Sequence, residues 1–154
     1  MASVNDVMAF FCTAYPHKQE LSNARLTKMV YLADWKSALS YERQITDIQW
    51  TFNHYGPFVN DIHNAALFDD RFDVLDSVNY YGQPKQIITI KHGSSVGIIP
   101  QPEIDILRFV IDQTASLNWE SFIRLVYSTY PIIAGEKYSY LNLVEFARIY
   151  KNQQ

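Results

Sequence analysis

Cysteine is almost absent from this sequence of 154 residues, in which Cys12 is the only one. A single thiol excludes an internal disulfide and a zinc site built from cysteines. Phe10 and Phe11 precede Cys12 in an apolar stretch, which favours a buried thiol in a helix over a reactive one.

Clusters of positive charge and long apolar runs are also missing. The formal net charge is −3, and this balance disfavours a domain that binds DNA over its whole surface, although a local basic patch stays open. No apolar run reaches the roughly 20 residues of a membrane helix, and the first residues do not resemble a signal peptide. We therefore expect a soluble cytoplasmic protein without a membrane partner.

Motifs of known enzymes are absent as well. The sequence contains no GxSxG, no Walker A loop and no GxGxxG, and we predict no cofactor and no catalytic residues. His54, Asp61 and His63 are the densest group of potential metal ligands, but their spacing fits no common site, so we expect them to be structural. Four aspartates between 69 and 76 predict a solvated acidic edge, or a negative surface for a basic partner.

Aromatic residues, by contrast, are plentiful, with 11 Tyr and 9 Phe in an aromatic share of 15%. Tyrosine has an apolar ring and a polar tip, which suits partly hydrated contact surfaces. The same residues could instead line a small core, and composition does not separate the two alternatives.

The first half of the chain predicts two helices and a strand. Residues 4–15 form an amphipathic pattern that Asn5 or Asp6 could cap, and residues 24–40 predict a long helix that is apolar over much of its circumference. Such a helix is expected at the centre of the fold. Residues 47–53 alternate as a strand does. The following HYGP, residues 54–57, predicts a switch from strand to helix, with Pro57 at the first helical position.

The second half predicts a hairpin and three further helices. Residues 72–76 and 86–91 are expected to pair across a long loop. Pro102 opens one helix, Asn118 caps a second over 119–128, and a third begins near Tyr140, with residues 128–139 as a loop and residues 151–154 frayed. The predicted fold is a single α+β domain over residues 1–154, mostly helical around a long central helix, with a small antiparallel sheet.

A winged-helix arrangement in the middle of the chain is an alternative interpretation. Residues 57–68 would be the recognition helix and residues 72–91 the wing, as in a DNA-binding transcriptional regulator. The candidate helix contains no Lys or Arg, so phosphate contacts would lack cations. Nucleic acid is therefore disfavoured as a partner, without being excluded.

Two motifs carry a resemblance to a known family. LTKMVYLADW at 26–35 is followed by a strand with Trp50 and then by HYGPFVNDIHNA at 54–65. This order resembles the SocA-like antitoxin family, or Panacea domain, whose members show L-x-K-L-x-Y-L-A and later Y-G-P-V. The matching positions are Leu26, Lys28, Tyr31, Leu32, Ala33, Tyr55, Gly56 and Pro57, with Phe58 in place of the valine. The likeness extends to Tyr130 and Pro131, where the His and Trp of the family are missing.

The resemblance implies a non-enzymatic role. Members of the family are phage-associated proteins and antitoxins that are thought to neutralise a cognate toxin by direct binding, and one acts as a protease adaptor. A toxin protein is therefore the expected partner, with a protease such as a Clp-type unfoldase as a second. A DNA-binding regulator ranks next, and a small enzyme ranks third.

The motif residues divide into structural and partner-binding candidates. We expect Leu26, Leu32 and Ala33 in the core and Gly56 and Pro57 in the turn. Lys28 is expected on the flank of its helix, and Tyr31 could bury its ring and bond through its hydroxyl. Because aromatic anchors dominate binding hot spots, the candidates for contact with a partner are Lys28, Tyr31, Trp50, Tyr55, Phe58, Tyr80 and Tyr81.

Overall fold

The computed structural model describes residues 2–153, which fold into helices and two small antiparallel hairpins. The helices are α1 Val4–Ala14, α2 Asn23–Tyr41, α3 Asp61–Phe68, α4 Gln101–Thr114, α5 Trp119–Tyr127, α6 Tyr130–Ala134 and α7 Leu143–Asn152. The strands are β1 Thr51–Asn53, β2 Gly56–Phe58, β3 Phe72–Val78 and β4 Pro84–Ile90. The prediction of a mostly helical α+β domain is confirmed.

Helix α2 is the centre of the fold, as its broad apolar surface predicts. The Ser22 side chain caps it by accepting a hydrogen bond from the Arg25 N–H, which satisfies a donor that the first turn leaves free. The helix packs against α1, α3, α4, α7 and β4. Leu26, Leu32 and Ala33 are buried in the shared core, as the motif predicts.

Asp34 of α2 anchors the irregular segment between α2 and β1. Its buried carboxylate accepts hydrogen bonds from the N–H groups of Ile45 and Thr46, the Thr46 hydroxyl and Trp50 Nε1 at 2.6–2.9 Å. Gln44 Nε2 adds a longer contact of 3.4 Å. Segment 44–50 therefore wraps around one side chain and needs no secondary structure of its own.

The hairpin of β3 and β4 runs in register from Phe72 opposite Ile90 to Val78 opposite Pro84, which confirms the predicted pairing. Its inner end is buried against the helices, whereas its outer half projects from the body of the molecule. The Arg71 guanidinium fixes the inner end by binding the carboxylates of Asp69 and Asp6 at 2.8 and 3.0 Å. It also donates to the backbone oxygens of residues 95 and 96.

The predicted switch from strand to helix at HYGP is wrong. Residues 53–56 instead turn the chain between β1 and β2, and Pro57 lies buried in β2 opposite Phe52. Gly56 has a φ of +97°, a conformation that glycine adopts without strain. Helix α3 begins four residues later than predicted, at Asp61. The short ladder is extended on its other side by segment 138–141, including a bond from the Leu141 N–H to the Trp50 oxygen.

Further boundaries also differ from the prediction. Ser3, rather than Asn5 or Asp6, caps α1 by accepting from the Asp6 N–H. Part of the predicted loop is helix α6, in which Pro131 occupies the first turn. Tyr140 lies before the last helix and bridges to Thr51. Helix α7 continues to Asn152, into the segment predicted to fray, whereas residue 154 lies outside the described residues.

Candidate functional site: an aromatic face

A cleft separates the start of α2 from the projecting half of the β3–β4 hairpin. Its volume is about 1030 Å³, and its lining includes residues 22–25 at the start of α2, residues 84–86 of β4 and Trp119 at the start of α5. Tyr80 and Tyr81 at the tip of the hairpin complete the wall. Two of the predicted partner-binding residues therefore line this cleft.

The tyrosines at the hairpin tip are held outward by the geometry of the loop. Asn79 Oδ1 accepts hydrogen bonds from the N–H groups of Tyr81 and Gln83, both at 2.9 Å, and so closes the turn. Tyr80 and Tyr81 are 95% and 81% exposed, and their rings meet edge to face at 5.3 Å. Such rings offer a large apolar area with few rotatable bonds, which is how aromatic anchors serve protein interfaces.

Arg25 holds the inner wall of the cleft in place. Its guanidinium is buried and donates to the backbone oxygens of Thr114 and Leu117 at 2.9 and 3.0 Å. It also stacks over the Phe122 ring at 4.4 Å. The α4–α5 connection, and with it the position of Trp119, is thereby fixed to the first turn of α2.

A second, shallower groove of about 390 Å³ continues from the cleft along α5. It is lined by the apolar side chains of Trp119, Ile123 and Tyr127, which share a helix face at a spacing of four residues, together with Glu120 and Arg124. Trp119 lines both cavities, so they are neighbours that meet at this side chain. We call the surface of Tyr80, Tyr81, Trp119, Ile123 and Tyr127 the aromatic face.

The β1–β2 turn lies at the far end of this groove. A Cβ atom on Gly56 would be 2.9 Å from Cε1 of Tyr127, so the turn packs directly against the α5 side chain. Tyr55 is 75% exposed in this turn, and Phe58 is partly exposed in β2. The YGP motif thus determines where the aromatic face ends.

Three other predicted partner-binding residues are buried, which does not fit surface anchors. Trp50 is fully buried and donates to Asp34, and Tyr31 packs against it with ring centroids 5.5 Å apart. The Tyr31 hydroxyl lies 2.8 Å from Thr129 Oγ1, which agrees with the alternative that the tyrosine is structural. Lys28, expected on the flank of α2, is buried instead, and its Nζ lies 6.0 Å from the Trp119 ring. Burial lowers the pKa of this lysine.

The sequence interpretation missed Trp119, Ile123 and Tyr127. It identified Phe122 and Val126 as the inward face of this helix, and both are fully buried. The signal for the outer face was available, because positions 119, 123 and 127 repeat with helical spacing on the face next to the inward one. The apolar surface of this helix is thus wider than the core covers, since Trp119 and Tyr127 stay partly exposed, and this indicates a second contact surface.

The aspartates between 69 and 76 do not form one acidic edge. Asp69 binds Arg71, which holds the pKa of that carboxyl well below its usual range, whereas Asp73 and Asp76 are exposed on β3. Among residues 2–153, no group of three His, Cys, Asp or Glu side chains is placed to hold a metal ion. Within the same residues, no helix combines the length and hydrophobicity needed to cross a membrane.

The fold and the site define a helical domain with a β-ribbon and an exposed aromatic face. Comparison with protein families matches residues 26–131 to the family described as antitoxin SocA-like, Panacea domain. The chain therefore belongs to this family, as its two motifs predict, and the family supports an antitoxin-like, non-catalytic role in general terms. No curated protein and no solved structure matches the sequence significantly.

Proposed function

We propose that this chain is an antitoxin that neutralises a cognate toxin by binding it directly through the aromatic face. The observation that carries the proposal is that the cleft and the α5 groove meet at the half-exposed side chain of Trp119. Membership of the SocA-like family supplies the class of partner. The proposal treats residues 1–154 as one binding domain that acts in the cytoplasm.

The energetics of the face suit a protein partner. Binding energy at protein interfaces concentrates in a few aromatic residues that become fully desolvated, often about 2 kcal/mol or more for each. Trp119 is half-exposed between the two cavities, and a partner that enters both would cover it from two sides. We expect Trp119 to be the central anchor, with Tyr80, Tyr81 and Tyr127 around it and Tyr55 and Phe58 at the margin.

Charge on the face favours a protein over a nucleic acid. The linings of the two cavities together contain three carboxylates and three cations, which are Glu20, Asp76, Glu120, Arg25, Lys85 and Arg124. Arg25 is already bonded to backbone oxygens. A DNA or RNA backbone requires clustered cations, and the balanced face does not supply them.

The proposal is tested by expressing the product of the adjacent gene alone and together with this chain, followed by binding of the two purified proteins. We expect the neighbouring protein to arrest growth alone and the wild-type chain to relieve the arrest. Trp119→Ala, and the pair Tyr80→Ser with Tyr81→Ser, are expected to weaken binding at least about tenfold, which corresponds to a loss of about 1.4 kcal/mol.

Phe68→Ser and Ile98→Ser are the matched controls. These residues are 85% and 96% exposed but line neither cavity, so their removal should leave binding unchanged. Equal loss of binding in controls and face variants would place the contact elsewhere. A neighbouring protein that is harmless alone, or that does not bind the wild-type chain, would overturn the antitoxin proposal.

Two fates of the bound toxin are compatible with this proposal. The chain either blocks the toxin stoichiometrically or delivers it to a protease such as a Clp-type unfoldase. The half-life of the toxin in cells distinguishes them, because delivery shortens it when the chain is co-expressed, whereas blocking leaves it unchanged or lengthens it. Trp119→Ala should abolish either effect, since both start from the same contact.

A further inference from the structure

Lys28 places a charged group in the interior beside the aromatic face. Its side chain extends from the second turn of α2, and the residue is only 5% exposed. The Nζ atom lies over the Trp119 ring, 6.0 Å from the ring centre. Because Trp119 lines both cavities, this buried cation lies next to the side chain at which they meet.

No group among residues 2–153 compensates for the charge of Lys28. Burial lowers the pKa of this lysine, and neither a hydrogen bond nor an opposite charge in the described part of the chain counteracts the shift. The cation–π contact with Trp119 is at the outer limit of distance for such contacts, so it offsets little of the unfavourable burial. The ammonium of Lys28 is therefore left without a partner.

Arg25, one turn earlier in α2, shows how the fold satisfies a buried cation that has a structural role. It is 3% exposed, but its guanidinium donates to the backbone oxygens of Thr114 and Leu117 and lies 4.0 Å from Glu20. A buried charge without such partners is unfavourable. An apolar side chain at position 28 would avoid this cost, so the lysine destabilises the isolated chain.

The missing group is an anion that can reach the Lys28 ammonium. This ammonium is poorly hydrated, yet Nζ does not belong to the fully enclosed polar atoms without a partner, which include Arg25 Nε. An ammonium has three donors and no acceptor, so its partner must accept hydrogen bonds and carry negative charge. Because Lys28 is a single cation, a lone carboxylate matches it better than a phosphate backbone, which requires clustered cations.

We propose that Lys28 binds a carboxylate of the partner protein and so determines which protein the aromatic face accepts. The inference rests on the proposed function, in which the partner is the cognate toxin. A toxin that covers Trp119 brings its carboxylate to Nζ, and the two charges are then shielded from water, where salt screens them less than exposed charges. A protein without an acidic group at this place would leave the ammonium buried and unpaired, which disfavours its binding.

Lys28→Met separates this role from a structural one. Methionine keeps a flexible, unbranched chain in the helix and removes the unpaired charge, so stability should be unchanged or higher. Binding of the purified neighbouring toxin should nevertheless weaken at least about tenfold. Lys36→Met is the matched control, because Lys36 lies on the same helix with its Nζ 4.8 Å from the Phe109 ring, and neither residue lines a cavity. Wild-type affinity of Lys28→Met would overturn the proposal.

Substitutions in the toxin identify the carboxylate. Each acidic residue of the toxin is replaced by its amide, and the terminal carboxylate is displaced by an uncharged extension. One of these changes should weaken binding to the wild-type chain at least about tenfold and have no further effect on binding to Lys28→Met, as expected for two groups in direct contact. If every change has the same effect in both backgrounds, no carboxylate of the toxin binds Lys28.

The titration of Lys28 in the wild-type protein provides a readout that a structural role would not change. Lysine isotopically labelled at Cε reports the protonation of each Nζ by NMR, and Lys28→Arg assigns the signal. The pKa should lie below the ordinary 10.5 in the free protein and rise when the toxin binds, because a nearby carboxylate favours the ammonium. An unchanged pKa in the complex would contradict the proposal and leave the antitoxin function intact. Absence of any wild-type complex would instead contradict the proposed function.

Glu120 is the competing partner within the chain. It is exposed on α5 and lines the groove beside Trp119. If Lys28 has no partner in the free protein, Glu120→Gln should leave the pKa of Lys28 unchanged and the toxin affinity within about twofold of the wild type. A fall in the pKa of Lys28 in this variant would show that Glu120 already compensates for the charge, and the proposal would then fail.

Discussion

Asp34 organises more of the interior than its place in the sequence indicates. In the pattern of α2 it is one polar residue beside Trp35, yet its carboxylate accepts from five donors between residues 44 and 50. The path of segment 44–50 therefore depends on one carboxyl group placed in the interior.

Asp34→Ala should destabilise the protein by about 3 kcal/mol or more, because each buried donor left without an acceptor costs on the order of 1–3 kcal/mol. Urea denaturation followed by tryptophan fluorescence measures the loss, and Trp50 reports directly on the site. Asp112→Ala is the control, since that aspartate is exposed on α4 and should change stability by less than about 0.5 kcal/mol. A loss below about 1 kcal/mol for Asp34→Ala would contradict this account of the segment.

The protonation of Asp34 gives a pH dependence with a definite sign. Burial raises the pKa of Asp34 from its ordinary 3.8 to about 6, although the hydrogen bonds from Thr46, Trp50 and Ile45 oppose the shift. The folded state therefore holds the proton more tightly than the unfolded state between these values. The stability gained from protonating Asp34 in the folded state is complete below about pH 4 and is lost as the pH rises through 6.

Asp34→Asn is the reference for this effect, because it removes the titrating group and leaves the other carboxyls, including Asp69, in place. The difference in Tm between wild type and Asp34→Asn should shift in favour of the wild type as the pH is lowered from 7.5 to 4.5. Thermal unfolding at five or six pH values measures it. A shift in favour of the wild type with rising pH would show that the ionised carboxylate is the form that the donors stabilise.

At the scale of elements, regular patterns predicted long elements well and short ones poorly. Helix α2 has 19 residues without proline or glycine behind a capping serine, and the β3–β4 hairpin has two strand-forming segments on either side of a turn, so local sequence was sufficient. The β1–β2 hairpin has only three residues in each strand. Segment 138–141, more than 80 residues away, bonds along its edge. No residue near Pro57 in the sequence indicates that segment 138–141 will pair with β1. The prediction of a helix starting at Pro57 was therefore reasonable from the local sequence.

The candidate site shows the same division. Tyr80 and Tyr81 could be predicted as exposed because turn-forming residues surround them. Trp50 looked like an anchor on a half-buried strand, but its true partner is Asp34 on another element. A surface contributed by a hairpin tip and by one face of α5 exists only after the chain folds, so single-segment patterns could not assemble it.

The Gly56 position links the family motif to the aromatic face, and Gly56→Ala should damage both fold and surface. Alanine is strained at a φ of +97°, at a cost of roughly 1–3 kcal/mol. Its Cβ would also lie 2.9 Å from the Tyr127 ring, which must move. We expect lower stability together with weaker toxin binding, measured by urea denaturation and by titration of the purified toxin.

Gly82→Ala separates the two causes. Gly82 has a φ of +77°, but no atom lies within 4 Å of its added Cβ, so this variant carries the backbone strain alone. Gly56→Ala should therefore be the more destabilised of the two. Equal losses would mean that Tyr127 gives way without cost and that the packing of the turn against α5 contributes little.

At the scale of the whole molecule, the net charge is negative, whereas the charges around the aromatic face balance. The chain carries a formal charge of −3, yet the linings of the two cavities hold equal numbers of carboxylates and cations. The excess negative charge therefore lies away from the aromatic face. A partner approaching this face meets apolar rings and balanced ions, so its affinity should depend mainly on the apolar area that it buries.

Toxin binding should accordingly be nearly insensitive to salt. Between 50 and 500 mM NaCl we expect the Kd to change by less than about fivefold, because paired and balanced charges at an interface add little long-range attraction. Calorimetric titration at four salt concentrations measures this. A ligand bound through phosphates would lose about 10³-fold or more in affinity over a smaller range of salt concentration, so a steep loss of affinity would contradict an apolar face as the contact.

Adding a charge to the cleft should make toxin binding sensitive to salt. Lys85→Glu gives the cleft an excess of carboxylates, and the toxin affinity of this variant should vary with salt concentration more strongly than that of the wild type.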